Sequence, residues 1–297
     1  MSQFIQKSGM LGLLFLLGAS VAHAKLQVFA CEPEWSALVR ELGGKHLSIY
    51  TATNNRQDPH YIQARPSLIA KARRADLLVC TGAELEAGWL PLLLRKSGNR
   101  KILAGKQGHF MATRYVRLLE KPRIVDRSMG DIHAAGNPHI QLDPARMLIV
   151  AKNLSKTLIK LDPKNRVYYQ QRLRSFSAIW KKKMRYWKNS ARSLKGKSIV
   201  VHHKSWVYLR KWLGIKRAGT LESRPGVPPT VSHLSKLLSE LRSKSIHRIV
   251  YATSQNSKAA KWLSRKTGIP AVAVDISPAA KESLVQWFDR LIRNLLG

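Results

Sequence analysis

Acidic residues are scarce in this chain. Only 17 Asp and Glu stand against 52 Lys and Arg in 297 residues, a net charge of +35 at pH 7. Such a balance points first to nucleic acid or an anionic surface. The chain nevertheless lacks an aromatic-interleaved RNA motif, a zinc-finger spacing and a helix-turn-helix signature. Between Pro144 and Lys197 there are sixteen Lys or Arg and one acid, Asp162. That stretch has a helical pattern, so its charges read as a solvated helix face rather than a groove. Cysteine is nearly absent: Cys31 and Cys80 are the only two. Two are too few for a disulfide-stapled scaffold, and a chain of this length needs none. Each ends a predicted strand, so both readings stay open, a disulfide in an oxidising compartment or two buried thiols.

Long apolar runs are missing except at the start. Lys7 supplies a positive first segment, Met10 to Val21 is apolar, and Ala22-His23-Ala24 is a small-x-small cleavage site. This predicts a secretory signal peptide over 1–24 and a chain exported from the cytoplasm, which argues against nucleic acid as a partner. No later segment is long and apolar enough to span a bilayer.

From Leu26 onward the pattern alternates. Strands are expected at Leu26–Cys31, Leu47–Thr53, Asp76–Thr81 and, as a short fourth, Lys101–Leu103, with helices at 34–42, 66–74 and 85–96. Alternation of this kind predicts a parallel sheet covered by helices. Residues 104–137 read mostly as loop. Asp143-Pro144 opens a helix to about Leu161, and Asp162-Pro163 starts a longer one. In that second helix Leu173, Phe176, Trp180, Met184, Trp187, Ala191 and Leu194 recur at spacings of three and four, one continuous packing stripe. The C-terminal part repeats the first plan, with strands at 198–202, 218–221, 248–252 and 271–275 and helices at 206–213, 230–244, 257–266 and 279–295. The expected fold is α/β: two (β/α)4 lobes with parallel sheets, joined by a long rigid helix. The boundaries are 25–162 for the first lobe, 163–195 for the linker helix and 196–297 for the second lobe.

The residues able to carry chemistry are histidines near strand ends. His60 follows Gln57-Asp58-Pro59, His139 follows Gly136-Asn137-Pro138, and His202-His203 follow the strand Ser198–Val201. Asp275 ends the strand Ala271–Val274. In open parallel sheets ligands bind beyond the C-terminal strand ends. Three imidazoles and one carboxylate suffice for a tetrahedral metal such as zinc. A proline before His60 and before His139 stiffens the approach of each. His46, His109, His233 and His247 read as ordinary polar surface residues.

Taken together, these blocks resemble the periplasmic solute-binding proteins of zinc and manganese ABC importers, the cluster with a rigid helical linker. Asp58-Pro59-His60 with Pro66, then Ala75–Val79 and Gly82–Trp89, form the first matching block. Asn137-Pro138-His139 with Leu142-Asp143-Pro144 form the second, and His203-Lys204-Ser205-Trp206-Val207-Tyr208 the third. The resemblance covers nearly all of the chain after the signal. It implies metal ligands His60, His139, His203 and Asp275. The ligand histidine precedes a tyrosine by five residues, which selects His203 over His202. Histidine rather than glutamate at the third position implies zinc over manganese. It also implies a periplasmic carrier that hands its metal to an ABC permease in the inner membrane, acting as a monomer, with zinc as cargo and no catalysis.

Three features depart from the family. Asp275 is followed by Ile276-Ser277-Pro278 rather than directly by proline, and the chain is unusually basic. Residues 104–137 hold only His109 and His133 instead of a histidine-rich acidic loop. His133 is a candidate auxiliary ligand, or else a plain surface-loop residue. Glu32, Glu34, Glu84 and Glu222 are candidates for supporting or transporter-facing roles. A zinc hydrolase is a poorer reading, since four protein ligands leave no open position for water and no HExxH is present. A carrier of manganese or another divalent metal is also compatible with these motifs, as is a basic adhesin or envelope-binding protein on the same fold.

Overall fold

The computed structural model describes residues 24–126 and 130–297. The expected signal segment therefore lies almost wholly outside the described residues. Among those described, no helix is long and apolar enough to cross a membrane.

Two four-stranded sheets form the molecule, and every strand pair in them is parallel. The first contains β1 (Leu26–Ala30), β2 (Leu47–Thr51), β3 (Leu77–Cys80) and β4 (His109–Met111), in the order β2-β1-β3-β4. The second contains β5 (Ser198–Val201), β6 (Lys216–Thr220), β7 (Ile246–Ala252) and β8 (Ala271–Val274), in the order β6-β5-β7-β8. The two orders are the same, so the halves repeat one plan. All four residues of β3 are buried, as expected for a parallel strand covered on both faces. Helices α1 (Pro33–Gly43), α2 (Pro66–Arg73) and α3 (Leu90–Ser97) cover the first sheet. Helices α6 (Val207–Leu213), α7 (Val231–Leu241), α8 (Lys258–Thr267) and α9 (Leu284–Leu296) belong to the second half.

Between the halves lie α4 (Pro144–Leu161) and α5 (Arg166–Ser190). The Asp143 carboxylate caps α4 by accepting the amides of Ala145 and Arg146, and Pro144 occupies the first turn, where its missing N–H costs nothing. The chain turns at Asp162, whose side chain accepts from Asn165 and from the Tyr169 hydroxyl, and α5 runs back beside α4. The Trp180 indole donates to the Pro144 carbonyl and pins the far end of this hairpin.

The expected stripe is real. Phe176, Trp180 and Trp187 are buried, and α5 packs on α1 of the first half and on α9 of the second. Trp180 and Trp187 meet Phe288 of α9 at centroid distances of 5.3 and 4.9 Å. Asp289 holds the same junction, accepting from the Trp187 indole at 2.7 Å and pairing with Lys183 at 2.8 Å.

Local details differ from the sequence expectation. Lys101 lies in a 3-10 turn over Arg100–Ile102, because the Asn99 side chain accepts the Lys101 amide and donates to the Ala72 and Ala75 carbonyls. The fourth strand forms instead at His109–Met111, after a close pass at Gly108. A Cβ there would collide with the Asp76 and Lys101 carbonyl oxygens. The helix expected from Leu85 starts at Leu90, because Ala83 and Glu84 take left-handed φ values of 51° and 68°. Cys31 and Cys80 are paired in a disulfide, with Cα atoms 4.8 Å apart. They end neighbouring strands of the sheet, and the Cys31 amide donates to the Val79 carbonyl, which brings the two level.

A helix packed on both halves leaves no flexible hinge between them. Metal loading is therefore expected to change the radius of gyration in solution scattering only slightly. A wide, hinge-like compaction on loading would contradict this packing.

Candidate metal centre

Each histidine is delivered by a short, fixed segment. His60 sits in the 3-10 turn Pro59–Tyr61, capped by Asp58, which accepts the His60 amide at 3.0 Å. The Trp89 indole holds the same turn through the Pro59 carbonyl at 3.0 Å. His139 precedes the 3-10 turn Ile140–Leu142, and the Asn137 side chain accepts its amide at 3.1 Å. His203 follows β5 and starts the 3-10 turn Lys204–Trp206 that leads into α6. The segments carrying His139 and His203 are tied directly. The Asn137 amide donates to the Lys204 carbonyl at 3.0 Å, and the Tyr208 hydroxyl donates to the Asn137 carbonyl at 2.6 Å. The tyrosine five residues after His203 thus braces the neighbouring ligand segment.

The fold brings His60, His139 and His203 together. Their ring centroids are 6.0 Å apart for His60 and His139, 6.1 Å for His60 and His203, and 5.7 Å for His139 and His203. Rings sharing one tetrahedral zinc would stand about 5 Å apart, and among the described residues no three histidine nitrogens yet lie within 4.8 Å of one another, so the rings would turn and close on a metal. His133 joins them: its Nε2 lies 3.2 Å from His60 Nε2, close to the separation of roughly 3.3 Å between two nitrogens on one tetrahedral zinc. Its loop is held from both sides of the cleft. The Ala134 amide donates to the Glu84 carboxylate, the Asp131 amide to the Pro225 carbonyl, and the Tyr61 hydroxyl to Asp131.

Carboxylates behind the rings orient them. His60 Nδ1 lies 2.7 Å from Asp58 Oδ1, and His203 Nδ1 lies 2.7 Å from Glu222 Oε2. With Nδ1 occupied in each, Nε2 is the nitrogen left for a metal, the carboxylate–histidine–metal arrangement. The His139 Nε2 is buried with no hydrogen-bond partner among the described residues. An unpaired buried nitrogen of this kind is costly unless something binds it.

Burial pulls the His60 pKa down, but the hydrogen bond and charge of Asp58 outweigh it and leave the pKa above the ordinary imidazole value. Burial works to raise the Asp58 pKa, yet its bond to the imidazole lowers it overall. His139 falls well below the usual value through burial and then the neighbouring histidines. His133 falls to about 4 for the same reasons, burial first and His60 next. The centre is therefore poised with at least two neutral imidazoles.

Asp275 has no described contact with the imidazoles. Its carboxylate accepts from Asn55 at 3.1 Å and from the Thr253 hydroxyl, and it pairs with Arg290 of α9. None of the described contacts joins it to a histidine, and it lines neither cavity beside the imidazoles. A guanidinium in contact competes with a cation for the carboxylate, and Arg290 is in contact with this one. Thr253 also donates to the Asn55 carbonyl, so Asp275 helps latch the two halves together. His202 is buried with its Nδ1 unpaired among the described residues, and it makes no ring contact there with the other histidines. Its Nε2 stands 3.6 Å from Glu222.

Sequence reasoning alone misses the supporting role of Asp58, although the residue stands inside a matched motif. Its signal is the spacing: an Asp two residues before a histidine in a proline-led turn can cap the turn and reach the ring. Glu32, Glu34 and Glu86 are buried near the ends of β1 and β3. Glu86 accepts the amides of Thr81 and Gly82, and burial pushes the Glu34 carboxyl up to about 7. Two cavities flank the histidines. One of about 450 Å³ is lined by His60, His202, His203 and Glu222, and one of about 350 Å³ by His133, His139 and His203.

The metal ABC transporter substrate-binding lipoprotein SloC of Streptococcus mutans is 26% identical over 269 residues, covering 89% of this chain and 85% of SloC. The high-affinity zinc uptake system protein ZnuA of Bacillus subtilis is 24% identical over 269 residues, covering 87% of this chain and 80% of that protein. Among solved structures, a crystal structure of ZnuA superposes with a TM-score of 0.76 at 19% identity, covering 92% of this chain and 97% of the other. A cadmium-bound periplasmic metal-binding protein from Candidatus Liberibacter asiaticus gives 0.72 at 19% identity, with 92% and 97% covered. The model of the periplasmic zinc-uptake complex component A family matches residues 28–296, and the chain belongs to that family.

Proposed function

We propose that this protein captures zinc between its two lobes, outside the inner membrane, and delivers it to an ABC permease. It is a substrate-binding component of a metal importer, as its relatives are named. The observation that carries the metal reading is the set of three imidazoles with centroids 5.7–6.1 Å apart, two of them backed by carboxylates. The proposed ligands are His60, His139 and His203, with His133 in the fourth position. Asp275 then acts as an interlobe latch rather than a ligand. A site of nitrogen donors favours zinc, whereas manganese prefers oxygen. A relative named as a manganese transporter protein, PsaA of Streptococcus pneumoniae, is 24% identical over 256 residues, which keeps manganese as the second reading. The division into lobes at 25–162 and 196–297 with a linker at 163–195, periplasmic location and a monomeric state complete the proposal.

Metal analysis of protein purified without chelator tests it. About one zinc per chain and no hydrolytic turnover are expected. His60→Ala and His203→Ala lose the zinc, and His202→Ala keeps it. Glu222→Gln weakens affinity by about 10–100-fold, because the ring loses its orienting carboxylate. His133→Ala weakens binding more than Asp275→Asn does, and the opposite order would return Asp275 to the ligand set.

The pH dependence follows from His60. Its pKa is raised, so it is protonated over a wider range than an ordinary imidazole, and zinc must displace that proton. Affinity should fall as pH drops through that raised value, by about one proton per zinc. His139 and His133 have lowered pKa values and stay neutral to lower pH, so they add their protons only later. Asp58→Asn removes what raises the His60 pKa and should move the fall to lower pH. Isothermal titration across pH reads this out, and an affinity that holds flat to about pH 4.5 would exclude His60 as a ligand.

A further inference from the structure

The larger cavity beside the histidines exceeds what a metal ion needs. Its volume is about 450 Å³, within the range of sites for small organic ligands, whereas one water occupies roughly 15 Å³ of such space. Its walls are of two kinds. His60, His203 and Glu222 belong to the metal centre. Pro228, Pro229, Leu234, Ala259 and Trp262, from the segment before α7, from α7 and from α8, are apolar. A bare cation gains nothing from such a wall.

The polar groups of the cavity are unevenly matched. Three acids line it and each is engaged: Asp58 by His60, Glu222 by His203 and Asp131 by Tyr61. Lys258 also lines it, and among the described residues no carboxylate lies within ion-pair distance of this lysine. Lys258 and Ala259 are the first two residues of α8, whose N-cap residue Ser257 makes no side-chain cap bond. The positive end of that helix dipole adds to the lysine charge and favours an anion. His202 lines the same cavity, is 5% exposed, and its Nδ1 has no partner among the described residues. A buried nitrogen left so is costly unless a ligand meets it.

We propose that the protein takes up its metal together with a small organic chelator, an amino carboxylate bearing a flat ring, which fills this cavity. The inference rests on the metal reading above and names the form in which the metal is carried. The carboxylate meets Lys258 and the start of α8. The ring lies on the apolar wall against Trp262, and His202 Nδ1 finds its hydrogen-bond partner in the chelator. The chelator's amine stays on the metal that the histidines hold, since zinc can expand from four donors to five.

Equilibrium dialysis of the full chain against radiolabelled L-histidine, with zinc and histidine both measured on the protein, tests this. The zinc-loaded chain should hold one histidine per zinc, and the metal-free chain should bind it at least tenfold more weakly. Glycine has the same amine and carboxylate but no ring, so it should compete about tenfold less well. Lys258→Gln, Trp262→Ala and His202→Ala should each weaken histidine binding about tenfold. All three should keep one zinc per chain, which shows that they are folded. Lys266→Gln, at the far end of α8, should bind as the parent does. Zinc held without histidine, equal histidine binding by the metal-free chain, glycine as good as histidine, zinc lost to the histidine solution, or an unaltered Lys258→Gln variant each overturns the inference and leaves the carrier reading intact. A chain that takes up no zinc, with or without histidine, overturns the carrier reading and this inference with it.

Discussion

The packing of one helix on two sheets governs the rest of this molecule. Trp180 and Trp187 of α5 meet Phe288 of α9 with centroids near 5 Å, and Phe176 stacks on Trp180 at 5.3 Å. Aromatic pairs in these geometries add to the burial of large rings, so the contact resists sliding. The Trp187 indole and the Lys183 ammonium both reach Asp289, which fixes the register of α5 against α9. With α5 also packed on α1, the spacing between the two sheets is set before any metal arrives. The strand ends that carry the histidines inherit that spacing.

A preset cleft changes what the metal has to do. Among the described residues no three histidine nitrogens lie within 4.8 Å of one another, so binding draws the rings inward, but the segments that carry them already stand around one cleft. Ties between the His139 and His203 segments, through Asn137 and Tyr208, keep them so. The loop of His133 touches the first half through Glu84 and Tyr61 and the second through Pro225.

Much of this is legible because period and punctuation are local properties. The stripe from Leu173 to Leu194, the Asp143-Pro144 start of α4 and the repeated βα plan all follow from spacing, and each is present. The failures are equally local in cause. Three residues cannot tell a strand from a turn, so Lys101–Leu103 reads as strand although Asn99 closes a 3-10 turn over it. The late start of α3 goes with the left-handed backbone at Ala83 and Glu84, a turn that the Glu86 carboxylate closes by accepting the Thr81 and Gly82 amides.

By itself, the sequence determined the two-lobed α/β plan, the rigid linker and which histidines stand at strand ends, because these depend on hydrophobic period and on prolines beside the ligands. Tertiary structure alone decided which groups meet. The sheet order made Cys31 and Cys80 neighbours. The Arg290 guanidinium, fifteen residues along the chain, pairs with Asp275. The 130–134 loop folded across the cleft and brought His133 onto His60. Each of these is a competition between partners distant in sequence, settled by charge and hydrogen bonding that exist only once the lobes have packed.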